Sequence, residues 1–200
     1  MSSIIEEIHR FWFGVLKTPA DFPREKVAFW FMKNDNVDRL IREAYLSILE
    51  DTLQGLFEDW KKTPRGYLCM ILVLDQFPRH IYRNKPQSFA QDPLALELVL
   101  KGIEKGIDQD LFPVERMFFY MPLQHSEDLK NQERSVALYT DLLEDVHQMM
   151  KPPFLEFLKY AKMHLDVIKR FGRFPHRNAI LSRPSTPEEE AFLKTPGSSF

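Results

Sequence analysis

Cysteine is almost absent from this chain. A single one, Cys69, stands among 200 residues, which excludes an internal disulfide and a zinc site built on several thiolates. It lies in the run Tyr67-Leu68-Cys69-Met70-Ile71-Leu72-Val73-Leu74, so a buried, inert thiol is expected. Long apolar runs are missing too. No stretch approaches the roughly 18 residues of a membrane span, and the acidic N-terminal stretch lacks the apolar centre of a signal peptide. The expectation is a soluble cytoplasmic protein with no membrane contact. Net charge is only −2, which leaves no global basic field for nucleic acid. Strand alternation, a clean repeat at fixed period, a Walker loop, a dinucleotide fingerprint and a nucleophile elbow are all absent. His125, His164 and His176 with Glu127 or Asp128 offer metal-ligand types, but no HxxxH or HExxH spacing joins them. No metal and no cofactor are therefore expected.

What is present is apolar and helical. At 44% hydrophobic, with seventeen Phe, the chain can bury a sizeable core. Its length suits one domain, residues 1–200, with a short C-terminal extension from about residue 182. Ser3 and Glu6 form a capping-box pattern, and Gly14 reads as a helix stop. A short helix is expected near Phe29-Trp30-Phe31, and Asp35 is the expected cap of the next. Thr63-Pro64 reads as a cap with proline at the first helical position. The helix that follows is apolar on every face, so it should be the central buried one, ending in Asp75-Gln76-Phe77-Pro78-Arg79-His80. Asp92-Pro93 repeats the cap-and-proline device, and Gly106 closes that helix. Pro122 is read as ending a short aromatic piece, Ser126 as capping a helix to about Met150, and Pro152-Pro153 as preceding a helix to Phe171. Thr186-Pro187-Glu188-Glu189 opens a last helix, followed by a frayed tail. The fold class is all-α: a tetratricopeptide-like superhelix or a bundle of antiparallel helix pairs.

Three polar clusters interrupt this apolar pattern. The densest is Arg170-Phe171-Gly172-Arg173-Phe174-Pro175-His176-Arg177-Asn178, where the aromatics would draw guanidinium groups into a half-enclosed wall. The second is Asp75 with Gln76, Arg79 and Arg83. Burial and the negative end of a helix both disfavour that carboxylate, so it needs an arginine partner. His80 is read as a surface loop residue. The third comprises Gln124-His125-Ser126-Glu127-Asp128, at the expected start of a helix, and His164, which breaks an apolar stripe of Phe157, Ala161, Ile168 and Phe171. Internal bracing would account for each cluster taken alone.

Four stretches carry a resemblance: Phe11-Trp12-Phe13-Gly14, Leu74-Asp75-Gln76-Phe77-Pro78-Arg79, His125-Ser126-Glu127-Asp128 and the whole arginine stretch. Together they resemble a mostly bacterial family known as domain of unknown function 924, over nearly the whole chain. The resemblance implies an all-α fold similar to tetratricopeptide superhelices, and no particular reaction, substrate or cofactor. Where that family tends to read Leu-Gly-Arg, this chain has Leu181-Ser182-Arg183, a departure that bears on the backbone turn there and on the role of Arg183.

Two functions follow as expectations. One is a site for a small anionic ligand, phosphate or carboxylate. Arg79, Arg173, Arg177 and Asn178 would hold it, His125, His164 or His176 would exchange a proton, and Glu127 would orient a histidine. The other is a tetratricopeptide-like module binding a peptide or protein without catalysis. Neither requires an enzyme, and Asp75 in both is a structural ion-pair partner.

Overall fold

A computed structural model describes residues 2–198, with side chains from residue 4 onward. The chain is all-α, with no strand among the described residues. Helix α1 (Ser2–Phe13) turns Ile8, Trp12 and Phe13 inward and stops at Gly14, whose φ of +74° suits a residue without a Cβ. The side chain of Ser3, and with it the capping box expected there, lies outside the described residues. A short α2 (Val27–Phe31) brings Trp30 beneath α1, where its indole N–H donates to the Trp12 carbonyl at 2.9 Å. Helix α3 (Asp35–Leu53) is capped by Asn34 rather than Asp35: the Asn34 side chain takes the Asn36 and Val37 N–H groups.

Thr63 caps α4 (Pro64–Ile71) through the Gly66 N–H. From Gly66 to Pro78 every residue is buried, so this is the central element. It does not end at Asp75. A π-helical turn (Leu72–Gln76) carries the chain without a break into α5 (Phe77–Ile81). Pro78 supplies the cause. It has no N–H to give and its ring crowds the preceding turn, and one wider turn relieves both. His80 consequently sits on a buried helical turn and not in a surface loop. It is 5% exposed, with Nδ1 2.8 Å from Asp38, which Arg83 also engages.

Helix α6 (Asp92–Glu104) presses against α4 and α7 (Pro113–His125) at Gly102. Helix α7 runs through Pro122 to His125, longer than the aromatic piece expected from the sequence. The next cap is Asp128, not Ser126, and α8 (Leu129–Asp145) is shorter than expected. Helix α9 (Lys151–Phe171) starts with both prolines in its first turn, where missing N–H groups cost nothing. Helix α10 (Pro187–Leu193) opens on the expected Thr186–Glu189 capping box. Beyond it, up to Ser198, the tail is not frayed: Ser198 is buried and bonds the Leu193 carbonyl.

The core is aromatic. Trp12, Phe13 and Trp30 meet Phe118 of α7 edge-on, with ring centres 4.8–5.5 Å apart. Helices α7, α8 and α9 pack in chain order, as helix pairs do, whereas α4 touches α1, α6 and α7 and is enclosed on several sides. A Cβ placed on Gly102 would lie 2.5 Å from Phe119 Cζ and 2.9 Å from the Tyr67 ring, both fully held in the core. Gly102→Ala should therefore destabilise the protein by about 1–3 kcal/mol, as overpacking does, despite the better helix propensity of Ala. A urea midpoint at or above that of the unaltered protein would contradict this packing.

Candidate functional site

The π turn points Asp75 at the end of α7. Its carboxylate is fully buried. Oδ1 lies 2.7 Å from His125 Nδ1 and 3.4 Å from Arg79 Nη1, and Oδ2 accepts from Gln76 Nε2 at 2.6 Å. Burial opposes the charge on Asp75, but Arg79 and His125 outweigh it and hold the carboxyl well below its usual range. A carboxylate can only accept here, so it fixes the proton of neutral His125 on Nδ1 and leaves Nε2 as an acceptor. Burial, helped by Arg79, pushes the His125 pKa below its ordinary value. The α7 end that carries His125 is itself held: Gln132 Nε2 donates to the carbonyls of Gln124 and Ser126 at 2.7 and 2.6 Å.

Arg79 faces Asp75 on one side and Asp92 on the other. It grips Asp92 with both forks, Nη1 to Oδ1 at 2.9 Å and Nη2 to Oδ2 at 3.1 Å. Arg177 reaches Oδ2 of the same carboxylate, but only at 3.4 Å. Its guanidinium lies between the rings of Phe89 and Phe174, 4.6 Å from each centre, and only 7% of the residue is exposed. Its Nε finds no hydrogen-bond partner among the described residues. Burial, with Arg79 nearby, pulls its pKa down to about 10, so it stays charged at neutral pH.

Two further histidines line this region. His164 donates from Nδ1 to the Tyr160 carbonyl at 2.8 Å, and its ring centre stands 6.5 Å from that of His125. Phe174 packs between His164 and His176, at 5.5 and 5.6 Å. Burial pushes His164 down to about 3 and His176 down to about 4. Asp75, Arg79, His125, His164, His176 and Arg177 thus gather around Phe174 and Asp92.

Arg173, Asn178 and Glu127 do not join them as the sequence leads one to expect. Arg173 Nε and Nη2 clasp the buried carboxylate of Glu189 at 2.7 and 2.8 Å. Asn178 donates to the same carboxylate at 3.3 Å and to Ser185 at 3.1 Å. Glu127 accepts the Phe174 N–H at 2.8 Å and both forks of Arg183 at 2.7 and 2.9 Å. Asp128 is spent on its helix cap. This second network fastens the C-terminal extension to the loop before α8. The sequence reading took Glu189 for a capping residue only, and so left Arg173 apparently unpaired. Asp92 and Phe89 were missed as site residues because Asp92 has the pattern of an ordinary helix start. The unexplained arginines elsewhere were the available signal that an acid was wanted.

Arg183 reaches Glu127 because the chain doubles back at Ser182, which has a left-handed φ of +54°. This is the position where the resembling family tends to carry glycine. Left-handed backbone costs a non-glycine residue roughly 1–2 kcal/mol, and glycine's extra freedom when unfolded returns roughly half of that. Ser182→Gly should stabilise the protein by about 0.5–1 kcal/mol; a lower urea midpoint would show that the serine is favoured there.

The histidines set a pH dependence. Burial pushes His80, His125, His164 and His176 below the ordinary imidazole value. The unfolded chain then binds more protons than the folded one between the ordinary value near 6.5 and the depressed ones. Stability is fully present above about pH 6.5 and is lost as pH falls toward 4 and then 3. Denaturant midpoints should decline steadily over that window, and His164→Gln should shallow the slope. A flat profile would mean that these histidines are not buried in the neutral form.

Among the described residues no group of three or more His, Cys, Asp or Glu is placed to hold a metal ion. Comparison with curated proteins finds no match. A solved structure of a protein of unknown function from Agrobacterium tumefaciens is similar to this chain throughout. The two share 30% identity and a TM-score of 0.81 over 96% of this chain and 98% of that one. From residue 8 to residue 197 the chain matches the family described as bacterial protein of unknown function (DUF924), and it belongs to that family.

Proposed function

We propose that the Asp75–His125–Arg79–Arg177 cluster binds a compact anionic ligand, a carboxylate or a phosphate, and that His125 exchanges a proton with it. The observation that carries this reading is Arg177. A guanidinium buried this deeply needs an anion, because an uncompensated buried charge costs several kcal/mol. Its available partner, Asp92, gives its two shorter bonds to Arg79 and leaves Arg177 one long contact. An anion entering beside Asp92 would satisfy the idle donors of a cation already held flat by two rings.

His125 supports the second half. Asp75 orients it through Nδ1, and the free acceptor is Nε2 of a neutral ring, the arrangement of a general base. His125 keeps 15% of its side chain in contact with solvent, Arg79 19% and Asp92 17%, so the cluster is partly exposed to water. Groups this enclosed suit a small ligand better than an extended peptide. The peptide-module alternative draws on the chain-order packing of α7, α8 and α9.

Thermal shift against phosphate, sulfate and small carboxylates, in the unaltered protein and in Arg177→Lys, tests the reading. Ligand at 100 times its dissociation constant adds about 2.7 kcal/mol of stability. The expected result is a saturable rise in the unaltered protein that is weakened at least tenfold in affinity in Arg177→Lys, the scale of a charged hydrogen bond. An equal rise in both would reflect only the general salting effect of such anions and would sink the proposal.

A further inference from the structure

Away from the histidine cluster, a groove of about 370 Å³ opens between the end of α3, the turn at 58–62, α4 and α6. That volume falls in the range of small-molecule sites. Its floor is apolar: Met70, Leu74 and Leu98 are each more than nine-tenths buried. Leu53 and Leu94 stand at its lip, 44% and 45% exposed. Its rim holds three lysines. Lys61 is paired with Glu58 at 2.7 Å and Lys101 with Glu97, whereas Lys105 makes no ion pair among the described residues. The rim therefore has its two acids already matched and one cation left over, above a floor that gains from leaving water.

We propose that this groove binds an amphiphile with an apolar body and a single anionic head, a medium-chain carboxylate, with the head at Lys105 and the chain along Met70, Leu74 and Leu98. One surplus cation calls for one anionic head. The exposed Leu53 and Leu94 side chains would close over the apolar body.

Decanoate below its micelle concentration is the probe, and the methyl signal of Met70 in protein carrying labelled methionine methyls is the readout. Saturable movement of the Met70 signal is expected, with weaker effects from decanol and from decyltrimethylammonium. Lys105→Glu, at an exposed position, should weaken decanoate about two- to fivefold, the scale of an exposed ion pair, and reverse the preference toward the cationic amphiphile. Arg177→Lys should leave decanoate binding at the groove unchanged, which separates this site from the anion site proposed above. An unmoved Met70 signal up to the solubility limit overturns the proposal. So does equal binding of decanoate to the Lys105→Glu variant, or loss of binding in Arg177→Lys.

Discussion

A carboxylate buried in the middle of the most apolar helix of the molecule governs the arrangement around it. Asp75 has no access to water, so every charge that makes its ionised form tolerable has to come from neighbouring chain. Arg79 supplies one and is itself too buried to stand on Asp75 alone, which draws in Asp92 at the start of α6. His125 takes the remaining lone pair and is fixed in orientation by doing so. Helices α4, α5, α6 and α7 are thereby tied at one point by polar bonds as well as by the aromatic core.

Much of this was legible in the sequence, for reasons that can be named. The all-apolar run around Cys69 fixed the central helix, and an acid at its far end had to be compensated. The interleaving of Phe with Arg between residues 170 and 178 pointed to guanidinium groups against rings, which is how Arg177 sits between Phe89 and Phe174. What the sequence hid was the division of labour. Arg173 and Arg177 look alike four positions apart, yet with the 3-10 turn at 175–177 between them they reach different carboxylates. One meets a capping glutamate, the other a helix-start aspartate. Helix limits were misjudged wherever proline stood inside a helix: Pro78 and Pro122 look like stops and are absorbed, the first by a wider turn.

Phe174 belongs to both polar networks. Its N–H and carbonyl belong to the Glu127–Arg183 brace, and its ring to Arg177 and His164. The outer network is thus the support on which one wall of the inner cluster rests. A change at Arg183 would reach the histidines through the position of one ring, and His176 also through the loss of a nearby positive charge.

The π turn at 72–76 has a further consequence, for the way such a chain can change its length. An α-helix advances about 100° per residue, so a π turn amounts to a regular helix with one residue too many. Deleting one residue here would turn the wide turn into a regular one and leave everything after it in phase. Leu74, in the groove floor, and Asp75, in the histidine cluster, are neighbours inside this turn and face different sites. The helix is therefore locally irregular and globally in frame. A variant one residue shorter here would keep Arg79 and His80 at their places, and only the residues inside the turn, Asp75 among them, would shift.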